Sequence, residues 1–423
     1  MASGPLNGIR ILEFTQIIAG PLGCQLLADL GAEIIKIEPP EGEPWRLNQQ
    51  FIPKESKVFM GLNRGKKSLA IDMAQPKAQE AIHRLVKDVD VVVINYRPDV
   101  AARLGIDYET LCAIRPDVIY MDNTAFGREG EWANRPGYDI AVQAASGLIA
   151  AVGKVDERGT PLVGPAHADT TTAYAIAAGV SAALYHRALT GEGQKVETSL
   201  LINALTIQMT AFADVPAADA EQRAGFQAAL ALARETGMPY AQFLEERQAI
   251  LRRQAGGNVY YRCFLTRDGA IAMGALSTGL RSKVRATLGF EHNRDEPDYN
   301  ALDPEQVKVD EAVREHVEAL FLTKTSAEWE AILTKGGVPV APITFIQELI
   351  DHPQVVANGY AVELDHEMAG PVRMQAPPWK MSKTPPAPQG PSPVLGRHSD
   401  EVLASAGYSS EEIASMRAEG VIL

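Results

Sequence analysis

Short apolar segments alternate with helical segments over the first half of the chain. The alternation begins at Gly8 with the strand-like IRILEF, a Gly/Pro loop, a helical stretch over residues 23–30 and the apolar run AEIIKIE. It continues through KSLAID, DVVVIN and VIYMD, with helical residues between these runs. Near-continuous apolar strands between helices are typical of a mostly parallel sheet that is covered on both faces. The sequence therefore predicts an α/β fold with a large Rossmann-like domain.

The doubly wound pattern stops near residue 211, and a chain of 423 residues exceeds the usual length of one domain. Residues 212–254 have helical spacing, and VYYRCFLT and AIAMGA read as the two strands of a hairpin around RDG. From GGVPVAPI onward, strand and turn character returns, followed by a proline-rich crossing. We expect a large domain over 1–211, a smaller α+β domain over 212–330, and a return segment over 331–423 that completes the large domain.

The charge balance narrows the classes of ligand. Forty Lys and Arg residues against 53 Asp and Glu residues give a net charge of −13, which disfavours nucleic-acid binding and adhesion to anionic membranes. Three separated cysteines predict neither a disulfide framework nor a Cys-rich zinc site, and they favour a reducing, cytoplasmic location. The eight histidines show no H-E-x-x-H motif, so no metal site is predicted.

The common nucleotide and hydrolase motifs are missing. The loop TQIIAGPLG after the first strand lacks G-x-G-x-x-G spacing, although Glu38 ends the second strand where a ribose would bind. In GLNRGKKS only three residues separate Gly61 from Gly65, so this segment is not a Walker motif. No G-x-S-x-G elbow occurs either. These absences disfavour NAD binding, P-loop chemistry and serine hydrolase chemistry.

Asp169 is the strongest candidate for a reactive side chain. It stands in GPAHADTTTAYAIAAG, where a helix begins, and an Asp there commonly caps the helix. The same position suits a nucleophile, because a helix N-terminus favours an anion and a carboxylate of reference pKa about 3.9 is ionised at neutral pH. His167 could line the same pocket, or it could be an ordinary loop histidine. The residues alone leave both alternatives open.

Basic side chains follow several predicted strands, where an acidic protein would need them to hold an anion. In doubly wound sheets, ligands bind beyond the carboxyl ends of the strands, so Arg97 and Arg103 are well placed for an anionic ligand. Surface solvation is the alternative for each of these residues. The other basic residues near predicted loops are Arg64, Lys66, Lys67 and Arg135.

Many segments of the chain together resemble the class III coenzyme A transferases, the CaiB/BaiF-type family of formyl-CoA transferase and the carnitine CoA-transferases. They occur in family order over most of the chain, with the weakest match at about residues 212–325. The matching segments are LNGIRILEFTQIIAGPLGCQLLADLGAEIIKIEPPEGEPWR, NRGKKSLAIDM, DVVVINYRPDVAARLGIDYETL, RPGYDIAVQAASGL, the Asp169 segment, HRALTGEGQKVETSL, GVPVAPI, DHPQVVANGY and LGRHSDEVL.

This resemblance implies roles for particular residues. Asp169 is implied as the nucleophile, Gln16 lies beside the acyl group, and Tyr138 lines the site with His167 as a candidate neighbour. A glycine-rich loop of the family corresponds here to the short pair Gly256 and Gly257. Positions that hold CoA in the family match Asn95, Tyr96, Arg103 and Ile71. A lysine that some relatives use for CoA is replaced by Ala74, and its charge is assigned provisionally to Lys66 or Arg135.

The resemblance also implies an architecture and a reaction. Ring-shaped subunits interlock as a homodimer, and CoA moves between an acyl-CoA and a carboxylic acid through an aspartyl anhydride and an aspartyl-CoA thioester. CoA is then a substrate, and no cofactor is bound permanently. A small dicarboxylic acid is the expected acid, from His167 and its polar surroundings. Two alternatives stay open: a racemase-like proton transfer, which Tyr138 disfavours because a group of pKa about 10 is a poor base at neutral pH, and a non-catalytic CoA-binding protein.

Overall fold

The computed structural model describes residues 4–254, 258–301 and 303–423. Within these ranges the strands are β1 Arg10–Phe14, β2 Glu33–Glu38, β3 Gln50–Ile52, β4 Glu55–Ser56, β5 Lys66–Ala70, β6 Val91–Ile94, β7 Ile119–Thr124, β8 Lys195–Ser199, β9 Tyr261–Leu265, β10 Ala270–Gly274, β11 Val340–Pro342, β12 Ala361–His366 and β13 Gly370–Gln375.

The same ranges contain α-helices and one 3-10 helix at Ile346–Glu348. The α-helices are α1 Ala19–Asp29, α2 Pro44–Leu47, α3 Lys57–Leu62, α4 Pro76–Val86, α5 Pro98–Arg103, α6 Tyr108–Ile114, α7 Asp139–Ala145, α8 Leu148–Val152, α9 His167–Thr190, α10 Leu200–Ile207, α11 Met209–Phe212, α12 Pro216–Glu235, α13 Tyr240–Gln254, α14 Thr278–Leu288, α15 Pro304–Phe321, α16 Ser326–Lys335, α17 Pro353–Asn358, α18 Ser399–Ser405 and α19 Ser410–Ala418.

The contacts divide the chain into two units. The first contains residues up to Lys154, Leu162–Ala217 and Val356–Leu423, and the second contains Val155–Pro161 and Ala218–Val355. These limits differ from the predicted ones because residues 331–355 belong to the second unit. There β11 pairs with β10 of the predicted hairpin, so the strand GVPVAPI extends the smaller sheet instead of returning to the large one.

A parallel sheet forms the centre of the first unit. Its strands, within the described residues, follow the order β5-β2-β1-β6-β7-β8, and every neighbouring pair is parallel. The strands β1, β2, β6 and β7 are buried on both faces, which explains why their sequences are largely apolar without alternation. The predicted mixed α/β fold with a parallel central sheet is confirmed.

Two hydrophobic clusters cover the two faces of this sheet. On one face, side chains such as Leu12 and Ile35 pack with α4, α6, α18 and α19. On the other face, Ile11 and Ile34 pack with residues of α1 and α9. The chain runs outward from β1 through β2 to β5, and then from β6 on the other side of β1 outward to β8. The carboxyl ends of β1 and β6 therefore form the point at which the strand order reverses.

The second unit has its own core. The strands β9 and β10 form the predicted antiparallel hairpin, and their buried face packs with α14, α15 and α16 through residues such as Phe264, Phe321 and Trp329. The rings of Phe264 and Phe321 are stacked with centroids 4.3 Å apart. This arrangement explains the α+β character that the sequence predicts for the smaller unit.

Several smaller predictions can be compared with the structure. The apolar segment from Tyr138 to Ala151 has the spacing of a single helix, but Gly147 with φ +84° separates α7 from α8. No helix in the described ranges is long and apolar enough to span a bilayer. The three cysteines are free, with Cys24 buried, and the cytoplasmic location inferred from them stays a prediction.

Candidate active site

Asp169 lies in the first turn of α9, as the third residue of that helix. The helix begins after Ala166, and no side chain caps it. The interpretation of Asp169 as an N-cap is therefore wrong. Its side chain is instead buried, with the residue 5% exposed, although carboxylates are seldom buried without a cation. A buried carboxylate that neither caps a helix nor pairs with a cation requires another explanation.

The contacts of Asp169 come from the starts of two other helices. Its carboxylate accepts a hydrogen bond from the backbone amide of Ala19, the first residue of α1. Its own backbone amide donates to Oδ1 of Asp139, the first residue of α7, at 3.0 Å. The Oδ2 atom of Asp169 has no hydrogen-bond partner among the described residues. One carboxylate oxygen is thus held by the protein and the other is left without a protein donor.

These surroundings change the acidity of Asp169. Burial, and then the negative charge of Asp139, raise the pKa of the Asp169 carboxyl from 3.8 to about 7, while the Ala19 amide acts in the opposite direction. Burial raises it because a carboxylate loses hydration in a low-dielectric site. At neutral pH the group is therefore partly ionised and weakly solvated. Such a carboxylate is a stronger nucleophile than one on the surface, and shifts of this size are common at functional sites.

Gln16 lies at the carboxyl end of β1, where the strand order of the sheet reverses. Its backbone is fixed by Asn95, which follows β6: Gln16 N donates to Asn95 Oδ1 at 3.2 Å, and Asn95 Nδ2 donates to Gln16 O at 2.9 Å. Ligands of doubly wound proteins bind beyond the strand ends at this point. Asn95 therefore connects two central strands directly beside the loop that leads into α1 and to Asp169.

Tyr138 and His167 belong to the same local arrangement. Tyr138 precedes α7 immediately before Asp139, and its side chain is exposed. His167 is the first residue of α9, half-buried, two positions before Asp169. Asp169 and His167 lie at the start of α9, and Tyr138 lies directly before α7. Gln16 and Asn95 follow the ends of β1 and β6.

Two residues of this site were missed by the sequence analysis. Asp139 accepts the Asp169 amide and also a hydrogen bond from Gln143 Nε2, which in turn donates to Pro165 O at 2.9 Å. Gln143 is fully buried and so links α7 to the loop before α9. Asp139 is present in the matching segment RPGYDIAVQ, but nothing in its spacing shows that it contacts Asp169.

A buried cluster of charges under the site was also missed. It consists of Glu13, Lys36, Glu43 and Lys66, all almost completely buried. The Lys36 ammonium lies 3.0 Å from Glu13 and 3.2 Å from Glu43, and the Lys66 ammonium lies 2.7 Å from Glu13. A sequence signal existed, because Glu13 and Lys36 interrupt apolar strands, in RILEF and EIIKIE, that are buried on both faces.

Lys66 is not placed to hold an exposed anion. Its ammonium is buried, and besides Glu13 it donates to Pro21 O and Asn63 Oδ1, both at 2.8 Å. A charge already neutralised in the interior is not available to a phosphate. Arg135, the other provisional substitute for the missing lysine, is exposed and lies over the Trp132 ring.

The remaining predicted CoA residues lie at the carboxyl side of the sheet. Arg103 ends α5, is exposed, and has no side-chain partner within the part of the chain that the structure describes. Tyr96 is half-buried against the core, and burial raises the pKa of its hydroxyl. Ile71 is buried and bridges to Ile422. Gly256 and Gly257 lie outside the described residues.

The described residues contain no group of three or more His, Cys, Asp or Glu side chains arranged to hold a metal ion. Glu38, at the end of β2, is committed to Arg46 through two hydrogen bonds of 2.7 and 2.9 Å. It is therefore not free to meet a ribose, in agreement with the absence of the dinucleotide fingerprint.

Known proteins are similar to this chain over most of its length. The model of "CoA-transferase family III" matches residues 6–399. Succinate–glutarate CoA-transferase of Agrobacterium fabrum is 32% identical over 95% of this chain and 95% of its own length, and formyl-CoA:oxalate CoA-transferase of Rhodopseudomonas palustris is 31% identical over 99% and 97%.

Solved structures show the same fold. A CAIB/BAIF family protein from Brucella suis is similar with a TM-score of 0.70 and 26% identity, over 96% of this chain and 100% of that one. Rv3272 from M. tuberculosis, in its orthorhombic form, gives a TM-score of 0.74 and 26% identity over 95% and 99%. The family match over most of the chain, together with these relatives, shows that the chain belongs to CoA-transferase family III.

Proposed function

We propose that the chain moves CoA between an acyl-CoA thioester and a carboxylic acid, with Asp169 as the nucleophile. The observation that carries this proposal is the buried Asp169 carboxylate, whose Oδ2 has no protein partner and whose other contacts come from the start of α1. The site lies where the strand order reverses, the usual ligand position in such folds. The family assignment supplies the reaction type.

The reaction proceeds through covalent intermediates on Asp169. A carboxylate oxygen of Asp169 attacks the donor thioester carbonyl, the carbon–sulfur bond breaks, and CoA leaves as a thiolate from a mixed anhydride. The thiolate then attacks the aspartyl carbonyl, which releases the donor acid and leaves an aspartyl-CoA thioester. The acceptor carboxylate attacks the aspartyl carbonyl of this thioester, which expels CoA thiolate and leaves a second mixed anhydride. The thiolate then attacks the acyl carbonyl of the acceptor in that anhydride, which forms the new acyl-CoA and releases the Asp169 carboxylate. Dividing one slow exchange into covalent steps is the advantage of a covalent nucleophile.

A small dicarboxylic acid is our proposed acid substrate. Relatives of this chain are named for succinate, glutarate, oxalate and mesaconate. The half-buried His167, two positions before Asp169, and Gln16, in the loop that leads to α1, carry polar groups that can hydrogen-bond a second carboxylate. Such groups discriminate strongly against an acid that lacks the second carboxylate, because they would be left unpaired.

The covalent mechanism is tested by incubating the chain with an acyl-CoA donor and no acceptor. We expect a borohydride-reducible or hydroxylamine-sensitive adduct, located at Asp169 by peptide mass spectrometry. Deuterium uptake at the α-carbon of an acyl-CoA, without any exchange of acid, would instead establish racemase-like chemistry. Binding of CoA esters with neither adduct nor exchange would identify a non-catalytic binding protein.

We place the CoA moiety beyond the strand ends near Arg103, with Asn95, Tyr96 and Ile71 along it and Arg135 as a further candidate. Arg103→Glu is therefore expected to raise KM for the CoA ester by about tenfold or more and to change kcat by less than about threefold, because the residue contacts the nucleotide and not the reacting carbonyl. Initial rates at varied acyl-CoA and saturating acid measure both constants.

Arg397→Glu is the matched control for this charge reversal. Arg397 is also an exposed arginine, but it lies with Gly31, Glu33 and Gly65 at the opposite, amino end of β2 and β5. It should leave KM unchanged. An equal rise in KM for both variants would show that only the overall charge matters, and would remove Arg103 from the CoA site.

The pH profile should report the environment of Asp169. With a pKa of about 7, Asp169 is expected to give an acid limb near pH 7 in kcat/KM, which reflects the free enzyme. Asp139→Asn removes the negative neighbour but keeps an oxygen for the Asp169 amide. Because ionisation of Asp169 then costs less, the limb should move to lower pH, by about one unit.

Asp88→Asn is the control for this experiment, because Asp88 is an exposed surface carboxylate before the amino end of β6. Its profile should match that of the wild type. An acid limb that stays in place in Asp139→Asn would mean that a group other than Asp169 controls the profile.

We propose that the active form is an interlocked homodimer of ring-shaped subunits, as the resemblance implies. Large apolar side chains are exposed along α9, α10 and α11, among them Leu189, Met209 and Phe212. A partner subunit would remove this apolar surface from water. Light scattering of the purified chain should give twice the mass of 45.7 kDa.

A further inference from the structure

The loop from Thr15 to Ile18, between β1 and α1, contains a strained residue. Ile17 has φ +74°, in the left-handed region that β-branched side chains avoid. Such a conformation is unfavourable for a β-branched residue and persists only where the surroundings impose it. The residues that impose it here are therefore of interest, because the loop carries Gln16 and leads to Ala19.

Glu43 makes the contact that holds Ile17. Its Oε2 accepts a hydrogen bond from Ile17 N at 3.0 Å, and its Oε1 lies 3.2 Å from the Lys36 ammonium. Glu43 is 2% exposed, although it belongs to a loop before the short helix α2. The Glu43 carboxylate is fixed in position because one oxygen accepts the Ile17 amide and the other forms an ion pair with the buried Lys36 ammonium.

Lys36 extends the same restraint to the other side of Gln16. Its ammonium donates to Thr15 O at 2.8 Å and to Glu13 Oε1 at 3.0 Å. Burial alone would lower the pKa of Lys36, but the carboxylates of Glu13 and Glu43 raise it above its usual value, so the ammonium stays charged. Lys36 thus holds the Thr15 carbonyl and Glu43 holds the Ile17 amide, and these two groups flank Gln16.

The restraint reaches Asp169 through two further residues of the chain. Ile18 precedes α1, and the next residue, Ala19, donates its amide hydrogen bond to the Asp169 carboxylate. If the backbone at Ile17 relaxed to a negative φ, the direction in which the chain enters α1 would change. The Ala19 amide would then be displaced from Asp169, and Gln16, which directly precedes Ile17, would move with the loop.

We propose that Glu43 is a positioning residue for CoA transfer: it holds Ile17 in the left-handed conformation and so keeps the Ala19 amide at Asp169 and the loop that carries Gln16 in place. The inference rests on the proposed function for its link to catalysis. It assigns to Glu43 a role through the backbone, without contact between Glu43 and the substrate.

The kinetic test combines a substitution at Glu43 with one at the strained residue. Glu43→Ala should lower kcat by about 100-fold or more, with KM for the CoA ester within about threefold. Glycine adopts positive φ without penalty, so in an Ile17→Gly background the same Glu43→Ala change should cost less than about tenfold. Glu43→Gln, which retains an oxygen for the Ile17 amide, should stay within about tenfold of the wild type. Glu41→Ala, an exposed neighbour, should have no effect.

A second measurement does not depend on turnover. Carboxyl titration by carbon-13 NMR of the aspartate-labelled chain, with the Asp169 signal assigned by its absence in Asp169→Asn, gives the pKa of Asp169 directly. Two protein groups act on this carboxylate by charge or hydrogen bonding, Asp139 from α7 and the Ala19 amide from α1. Because the Ala19 amide stabilises the ionised form, its loss in Glu43→Ala should raise the pKa, and Ile17→Gly should suppress that rise.

The outcomes separate the two proposals. A raised pKa in Glu43→Ala that Ile17→Gly suppresses supports the positioning role, even if the wild-type chain transfers no CoA and the proposed function fails. An unchanged pKa and an unchanged kcat in Glu43→Ala, in a wild type that does transfer CoA, overturns the positioning role and leaves the proposed function intact. An equal loss of kcat on Glu43→Ala in the wild-type chain and in the Ile17→Gly background would also overturn it. Such a result would show that Glu43 acts independently of the conformation of residue 17, as a general loss of stability does.

Discussion

Asp169→Asn is expected to lower kcat for CoA transfer by about four orders of magnitude or more, because the amide has nearly the same shape but cannot form the anhydride. Its oxygen can still accept the Ala19 amide, so the fold around α1 and α9 should remain. KM for the CoA ester should change by less than about threefold. Exchange of labelled CoA between two acids, followed by mass spectrometry, measures the loss.

The same substitution should stabilise the protein at alkaline pH. The pKa of Asp169 lies near 7 in the folded chain and close to its ordinary value of 3.8 when unfolded. The folded state therefore binds the proton more tightly, and its stability falls as pH rises from about 4 to about 7. Asp169→Asn lacks this loss, so its free energy of unfolding should exceed that of the wild type by up to about 4 kcal/mol at pH 8 and by little at pH 4.

Asp88→Asn, an exposed carboxylate, provides the control in both assays and should match the wild type. Residual transfer above about one per cent in Asp169→Asn would rule out the covalent mechanism. Lower stability of Asp169→Asn at pH 8 would show that the carboxylate contributes favourably to folding, contrary to its burial without a cation.

Arg46→Met is expected to lower the free energy of unfolding by about 3–5 kcal/mol at pH 8, the usual effect of removing one partner of a buried ion pair. The Arg46 guanidinium is fully buried between Glu38 and Glu55, at 2.7 and 2.9 Å, and also donates to Pro393 O at 2.9 Å. Without it two carboxylates stay in the interior with no arginine to neutralise them. Chemical denaturation followed by circular dichroism measures the change.

The decrease in the free energy of unfolding caused by Arg46→Met should depend on pH. Burial already raises the pKa of Glu55 to about 7, against the opposing charge of Arg46. Burial acts to raise the pKa of Glu38 as well, but the charge and hydrogen bonds of Arg46 hold it below its ordinary value. Without the guanidinium the folded pKa values of both carboxyls therefore rise. A protonated carboxyl is less costly to bury than a carboxylate, so the difference in the free energy of unfolding between Arg46→Met and the wild type should decrease as pH falls from 8 to 6.

Arg397→Met is the matched control for Arg46. Arg397 pairs with a single carboxylate, Glu367, at 2.9 Å, and both side chains are more than half exposed. Arg397→Met should lower the free energy of unfolding by less than about 1 kcal/mol, since exposed ion pairs contribute little to stability. Equal costs for the two variants would mean that the buried cluster is no more important to stability than a surface pair.

The central sheet and the proposal of Asp169 as the nucleophile follow from the sequence. Apolar runs such as RILEF and DVVVIN predict buried parallel strands, because a strand with helices on both faces has no solvent side. Asp169 could be singled out as a candidate because an ionised carboxylate at the start of a helix suits a nucleophile, although the same position also suits a helix cap. The family segments then identified it as a nucleophile.

Lys66 illustrates why the remaining site residues could not be predicted. Lys66 and Lys67 are adjacent in β5, yet Lys66 enters the interior to meet Glu13 while Lys67 reaches Glu33 and Glu401 at the surface. Successive side chains of a strand point to opposite faces, so a single step in the chain decides which lysine is available. The sequence shows two lysines but not the face to which each belongs.

The parallel sheet, the approximate positions of its strands and the family could be predicted from the sequence alone, because they depend on local patterns of apolar residues or on motifs. The same motifs single out Asp169 as the proposed nucleophile. The pairing of β1 with β2, which sets Glu13 beside Lys36, was decided only by the tertiary structure. So were the meeting of three helix starts around Asp169 and the strained Ile17 that Glu43 holds. These contacts join residues distant in the chain, and only packing of the completed sheet brings them within hydrogen-bond distance.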